Sequence, residues 1–455
     1  MKYSNRLVVS IALFAMFAIV VTASAQTAQT FFYMEVPKEG RIYVFSNPDL
    51  YKSFQETGSL TTGMSRVGEG PNGETLYFDS EEAFHMYRFK HNLPDEVIPH
   101  APPAAAPAAA ATTTPYKFSG LMFGDYYYKS QTDDNFATFS NTQPTYPGPE
   151  KQNGFNFRRI YFTFDDQLSE KFSTRFRLEA DGGSLTNNNK ITVFVKDAWL
   201  YWKNAYTNGD FYFGIYPTAA YEVSENVWAF RSLDKTIMDL RGIVSSRDFQ
   251  AGVRGRLDSQ GRWNYWAGIG NNSGNGLELD KYKRVYLNFW GKVTPQFQFT
   301  VYYDYKAAPK IADPNNAANT VDNNANTFSL FAGYGQKDKY QLGVEAFWQN
   351  TQNGAVFGTA PLAILADKKT DGYSFWGWYY FNPKVGVVAR YDDFDPNRSR
   401  LSQGDKRGYF IGSLVLKPYK TVYIMPNVQV ETYEDKAGVS FKSSVTPRVT
   451  MYWTF

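Results

Sequence analysis

Phe297-Gln298-Phe299-Thr300-Val301-Tyr302-Tyr303-Asp304-Tyr305-Lys306 sets apolar residues at its odd positions and mostly polar ones at its even positions. Period-two alternation gives a strand two unlike faces, one for an apolar medium and one for water. The stretch follows the tiny link Thr294-Pro295-Gln296. Links as small recur at Gln336-Lys337-Asp338-Lys339, Asn382-Pro383-Lys384 and Lys417-Pro418-Tyr419-Lys420. Between them stand long polar links, among them 130–154, 217–248, 307–325 and 351–371. The first eight alternating segments run near 117–129, 155–165, 172–181, 192–203, 210–216, 249–258, 262–270 and 283–293. The others run near 297–306, 326–335, 340–350, 372–381, 385–393, 407–416, 421–433 and 446–454, which makes about sixteen strands. Short and long links in strict turn put every long loop at one end. A water-soluble sandwich has no reason to do this. A transmembrane barrel does, because its turns and loops face different compartments.

The C-terminal stretch repeats the pattern. Val445, Val449, Met451, Trp453 and Phe455 share one face, and Thr446, Arg448, Thr450 and Thr454 share the other. A backbone in hydrocarbon must satisfy all its hydrogen bonds, so such a sheet has to close. Aromatic residues make up 18% of the chain and crowd at strand ends such as Tyr126-Tyr127-Tyr128, as the interfacial girdles of barrels require. The fold class predicted for 116–455 is therefore all-β: a transmembrane antiparallel β-barrel in an outer membrane, bounded by lipid.

The first 25 residues have the form of a secretory signal. Lys2 and Arg6 are its basic start, 7–21 its apolar core, and Ala23-Ser24-Ala25 its cleavage site. No other stretch approaches the ~20 apolar residues of a spanning helix. The formal charge is +3, and without Lys2 and Arg6 it falls to +1 (3 − 2), so no bulk field points to nucleic acid. Cysteine is absent, which excludes a disulfide framework and thiol chemistry.

Residues 26–100 read as a small α+β domain. A hairpin of 31–35 with 41–45 around Lys38-Glu39-Gly40 precedes a helix capped by Asn47 with Pro48 in its first position. The pattern returns 33 residues on, Gly40, Phe45 and Leu60 falling on Gly73, Phe78 and Leu93, with Ser80 as the second cap. This predicts a duplicated ββα unit. The Gly-rich stretch 68–73 lacks the Gly-Lys-Ser/Thr ending of a phosphate loop and reads as a turn. The Ala/Pro-rich linker 101–115 could extend roughly 45 Å at ~3 Å per residue. An even strand number leaves both barrel ends on the short-turn side. The small domain is thus expected in the periplasm, where a periplasmic or cell-wall partner could meet it.

The histidines, His85, His91 and His100, all precede the barrel, so a His-assisted hydrolase on its wall has no proton carrier. They lack metal-ligand spacing, the Asn- and Asp-rich loop 313–326 matches no calcium loop, and no cofactor is expected. An enzyme is not expected. Sixteen strands enclose water rather than a packed core, which favours a passive pore for small hydrophilic solutes. The alternative is a non-conducting adhesin or receptor barrel that displays its long loops.

The polar partners of the apolar sets give the expected lumen wall: Arg175, Arg177, Arg254, Arg256, Arg284, Lys292, Lys306, Arg390 and Arg448. Against them stand Glu179, Asp181, Asp304, Glu345, Asp392 and Glu431. The surplus is basic and rich in arginine, which suits anionic solutes. The third long link, 217–247, mixes Val227, Trp228, Phe230, Ile237, Met238 and Leu240 with Arg231, Lys235 and Arg241. So many apolar groups predict a loop folded inward to constrict the pore, those three cations setting an anion preference. The alternative is a loop packed outside, on its neighbours or on a second subunit.

Lys196-Asp197-Ala198-Trp199-Leu200, then Gly214-Ile215-Tyr216-Pro217, Phe230-Arg231-Ser232-Leu233 and Arg247-Asp248 ahead of Gly252 follow one another in an order that resembles the phosphate-selective porins of the O and P type. The resemblance covers most of 116–455. It implies sixteen strands, a homotrimer, an inward third loop and phosphate or other anions as solutes. It also implies that the terminal Phe455 is read during barrel assembly. Phe230 stands where the family commonly has an acidic residue, and residues 26–100 lie outside the resemblance.

Overall fold

The computed structural model describes residues 32–60, 63–94, 116–133, 135–136, 144–183, 185–399, 401, 404–436 and 438–455. The signal sequence expected at 1–25 and the linker at 101–115 lie outside the described residues. The chain divides into two compact units, residues 1–111 and 112–455.

The N-terminal unit runs β1 (Met34–Lys38), β2 (Arg41–Phe45), α1 (Pro48–Thr57), β3 (Met64–Arg66), β4 (Thr75–Phe78) and α2 (Glu81–Lys90). Its sheet order is β1-β2-β4-β3, with β2 and β4 parallel. The first strand lies three residues later than the sequence reading placed it. Glu39 and Gly40 both have positive φ and close a two-residue turn, which pairs Lys38 directly with Arg41. Asn47 caps α1 by accepting from the Asp49 and Leu50 amides, and Ser80 caps α2 by accepting from Ala83. The sheet is covered on both faces. Tyr43 and Phe45 pack on Phe54 of α1, while Val44, Leu76 and Phe78 pack on Phe84 and Tyr87 of α2. Asp79 ties the two ββα halves together: its carboxylate accepts from the Ser46 and Asn47 amides at 3.0 and 2.9 Å.

The second unit is a closed antiparallel barrel of sixteen strands. They are β5 (Tyr116–Tyr128), β6 (Asn153–Asp166), β7 (Phe172–Ala180), β8 (Phe194–Tyr206), β9 (Gly209–Pro217), β10 (Arg247–Arg256), β11 (Trp263–Gly270), β12 (Arg284–Lys292) and β13 (Phe297–Lys306). After a small loop hairpin, β14 (Ile311–Asp313) with β15 (Asn316–Val321), come β16 (Ala325–Gln336), β17 (Tyr340–Phe357), β18 (Ile364–Asn382), β19 (Val385–Asp395), β20 (Arg407–Tyr419), β21 (Val422–Tyr433) and β22 (Ser444–Thr454). The stretch 351–371, expected as a long loop, is mostly strand. The β17–β18 ladder continues through a bulge between Thr351 and Ala355, leaving only 358–363 as the connection.

Burial alternates along the strands in the sense a membrane demands. In β16, Thr327, Ser329 and Phe331 point inward and are buried, while Phe328, Leu330 and Tyr334 point outward and are exposed. Phe176, Phe213, Leu287, Phe375 and Val449 are likewise exposed. An apolar outer band over a largely polar interior is the reverse of a water-soluble barrel.

The ring closes where β22 pairs with β5, Arg448 opposite Tyr127 and Tyr452 opposite Phe123. Phe455 completes the seam: Gly120 donates to its carbonyl at 2.8 Å, and its own amide donates back at 3.1 Å. The Phe455 ring covers Gly120 so closely that a Cβ there would overlap it.

Two outcomes follow from these contacts. Deleting Phe455, or replacing Gly120 by Leu, should lower the yield of folded barrel, read as loss of heat-modifiable migration. Unchanged yield in both would show that the seam does not need this ring. Asp79→Ala should destabilise the N-terminal unit by ~1–3 kcal/mol, because four donors lose a buried acceptor. Limited proteolysis of the full chain should then cut within residues 32–94 first, and an unaltered pattern would contradict it.

Candidate functional site

Residues 218–246 join β9 to β10 and fold into the lumen. They carry two short helices, α3 (Glu222–Trp228) and α4 (Ile237–Leu240). Ala229, at φ 61°, ends α3 and turns the chain. Ile237, Met238, Ile243 and Val244 pack with Tyr286, Tyr302, Phe347 and Phe394 on the wall. Val227, Trp228, Phe230 and Leu233 pack with Phe331, Trp376, Trp378, Val388 and Met425. Trp228, Leu233, Ile237 and Met238 are wholly buried. At ~1.5–3 kcal/mol for each large apolar side chain buried, this packing decides that the loop lies inside.

Polar latches then fix where it lies. Arg158 of β6 donates to the Ser232 carbonyl and, at 3.2 Å, to that of Leu233. Gln429 of β21 reaches the same Leu233 carbonyl at 3.3 Å. The Asp234 carboxylate accepts from the Tyr409 hydroxyl at 2.6 Å and from the Tyr146 hydroxyl at 2.8 Å, and Trp228 Nε1 donates to its carbonyl. Arg390 of β19 holds the Lys235 carbonyl, and Asn288 of β12 holds that of Ala219. Donors on strands around the barrel therefore converge on one loop.

The three loop cations singled out from sequence do different things. Arg231 lies between Glu225 at 2.8 Å and Asp239 at 2.6 Å. Arg241 is nearly buried and binds Glu431 at 3.2 Å and the Thr145 hydroxyl at 2.7 Å. Lys235 alone of the three is well exposed, its side chain 42% accessible and 3.8 Å from Asp239. Arg231 and Arg241 hold the loop in shape; Lys235 faces the water.

The wall arginines occupy inward positions, and most are paired. Arg175 meets Asp165 at 2.6 Å, Arg177 meets Asp197 at 3.0 Å, and Arg284 meets Asp304 at 2.7 Å. Arg390 meets Asp392 at 2.6 Å, while Arg254–Glu222 and Arg448–Asp125 are both at 3.8 Å. Arg256 and Lys292, toward the short-turn rim, have no ion pair among the described residues. The bare basic surplus expected from sequence is thus mainly a set of cation–carboxylate pairs.

Strict alternation missed several inward cations, and the reason is bulges. In the β5–β6 ladder, Phe123 pairs with Arg159 and Gly124 with Phe157, so Arg158 is the extra residue and both arginines turn inward. In β7–β8, Arg177 pairs with Asp197 and Leu178 with Val195, leaving Lys196 as the extra residue. Lys196 and Arg159 both bind Glu179 at 2.8 Å, and Arg247 joins Arg177 on Asp197. The signal in the sequence was a charged dipeptide, Arg158-Arg159 or Lys196-Asp197, inside an otherwise alternating strand.

Beside the loop, toward β5, β6 and β22, lies a cavity of about 640 Å³. Its lining includes eight basic residues, Lys129, Arg158, Arg159, Arg231, Lys235, Arg241, Arg407 and Arg448, against three acidic ones, Asp125, Asp181 and Asp234. Glu179, Asp239 and Glu431, which pair with cations of this set, are 1%, 8% and 4% exposed and do not line the cavity. The residues lining the cavity thus carry more cationic than anionic groups.

No protein-family model matches the chain, and no curated protein does. Solved structures resemble the barrel. The outer membrane channel DcaP of Acinetobacter baumannii aligns with a TM-score of 0.53 at 11% identity over 75% of this chain and 97% of that one. OprB of Pseudomonas putida aligns at 0.52 and 9% over 75% and 94%. The anion-selective porin from Comamonas acidovorans aligns at 0.51 and 11% over 75% and 99%. The likeness is one of fold: the chain is a closed transmembrane β-barrel of the outer-membrane porin type. The narrower resemblance to phosphate-selective porins rests on the sequence motifs alone.

Asp234→Ala should loosen the loop, since the Tyr146 and Tyr409 hydroxyls would lose their acceptor at a cost of ~1–3 kcal/mol. Single-channel recordings of the variant should show larger and noisier conductance than wild type. Identical, quiet conductance would mean that this latch does not position the loop.

Proposed function

We propose that this protein is a passive outer-membrane channel for small hydrophilic solutes, with a preference for anions set at the cavity beside the inward loop. The carrying observation is the lining of that cavity, eight basic residues against three acidic. Anion pores work by rings of Arg or Lys in a confined wet space. The interaction with each must be weak enough for the solute to leave. In water a unit charge at 4 Å contributes only ~1 kcal/mol, so several act together while none traps the anion. The carboxylates paired with the guanidiniums lower the net field further, which favours fast permeation of anions as a class over tight capture of one.

Lys235 carries most of the selectivity, because Arg231 and Arg241 are largely buried against close carboxylates while the Lys235 side chain is well exposed and its pairing with Asp239, at 3.8 Å, is looser. The resemblance found in the sequence extends the proposal to a homotrimer and to phosphate among the permeant anions. The even strand number read from the sequence extends the proposal to residues 26–100 as a periplasmic domain, which a periplasmic or cell-wall partner could reach.

Reversal potentials in asymmetric KCl test the reading. The wild-type pore should favour chloride, and Lys235→Glu should move the reversal potential toward the cation side by more than Arg175→Gln does. A wild-type pore that selects potassium, or a Lys235→Glu pore with unaltered selectivity, contradicts it.

A further inference from the structure

On the short-turn side of the loop the lumen changes character. Arg254 of β10, Trp266 of β11 and Trp290 of β12 stand on neighbouring inward positions, and α3 faces them with Glu222 and Asn226. With Gln298 and Gln341 they line a second cavity of about 270 Å³, which shares no lining residue with the basic one. It lies just below the ~300–1,000 Å³ typical of whole small-molecule sites, a size for one ring of a solute.

Its chemistry is neutral and amphipathic. Arg254 lies 3.8 Å from Glu222, so the one cation and the one carboxylate offset each other. The guanidinium covers the Trp266 ring at 4.6 Å and reaches Trp290 at 5.7 Å, and it donates to the Tyr216 hydroxyl at 3.3 Å. Trp290 is only partly buried. Two acceptor oxygens, Glu222 Oε2 and Gln341 Oε1, are buried without a partner among the described residues. Buried acceptors call for donors. Side-chain amides on Asn226 and Gln298 add groups that both donate and accept.

A planar indole beside a balanced set of amides, a carboxylate and a guanidinium matches a ring with apolar C–H faces and a rim of hydroxyls. Hydroxyl O–H groups satisfy the orphan acceptors, and hydroxyl oxygens accept from the amides and from Arg254. A simple anion would gain from Arg254 but meet Glu222, and a flat hydrocarbon would leave both acceptors unpaired. We propose that this cavity is a subsite for a neutral sugar ring, met by solutes on the periplasmic side of the constriction. The proposal rests on the pore reading above for its physiological sense, while binding itself can be measured without conduction.

Full-length protein in a planar bilayer, in symmetric KCl, is titrated with maltose and separately with benzoate. Maltose should reduce the ion current saturably. Trp290→Ala and Gln341→Leu should each raise the half-saturating concentration about tenfold, the loss of one ring stack or one hydrogen bond to the site. Heat-modifiable migration confirms that each variant is folded. Attenuation that never saturates, midpoints unchanged in both variants, or saturable block by benzoate and not by maltose overturns the subsite and leaves the pore standing. Absence of any conductance overturns the pore instead. The subsite is then read from tryptophan fluorescence of the detergent-folded protein, where a saturable maltose response that Trp290→Ala weakens supports it and a flat titration refutes it.

Discussion

Inside a bilayer a backbone amide has no water to turn to, so the ladder between β22 and β5 is the condition on which everything else depends. Without that seam the sheet has two open edges in hydrocarbon, each unpaired group there costing several kcal/mol. With it, the outer face can be phenylalanine, leucine and valine, and the inner face is free to be polar. The Gly120–Phe455 contact lies at the end of this seam, where an exposed ring covers a residue with no side chain and the last backbone groups pair. The lumen chemistry follows from closure and would have no meaning in an open sheet.

A second constraint acts inside. Sixteen strands leave more space than the wall side chains fill, and the loop of residues 218–246 occupies part of it. Its apolar residues meet an aromatic stretch of wall, and its backbone carbonyls meet Arg158, Arg390, Gln429 and Asn288. Pairing the wall charges with carboxylates adds little stability, since desolvation offsets much of the Coulomb gain. Its effect is positional. Arg231 and Arg241 become struts, and among the described residues a basic cavity and a neutral aromatic cavity lie on different sides of the loop.

The strand segments, the single end for long loops and the inward loop were all legible in the sequence, because alternation and loop length are local properties. Trp228, Ile237 and Met238 in an otherwise polar link were enough to predict where that link goes. Pairing was not legible. Whether Arg390 meets Asp392 or faces solvent depends on rotamers and on the loop above it, neither of which period-two reasoning sees. Bulges were the other blind spot: Arg158 and Lys196 turn inward only because one extra residue breaks the alternation at each place. The hairpin of the N-terminal unit slipped for a similar reason, since the positive φ of Glu39 and Gly40 sets a tighter turn than residue types alone suggested.

A channel of the kind proposed requires a continuous wet path through the barrel beside the loop. Purified, heat-modifiable protein added to one side of a planar bilayer tests it most directly. Stepwise insertions are expected, each giving a current linear in voltage at low potentials. Folded protein that inserts and stays electrically silent would contradict it.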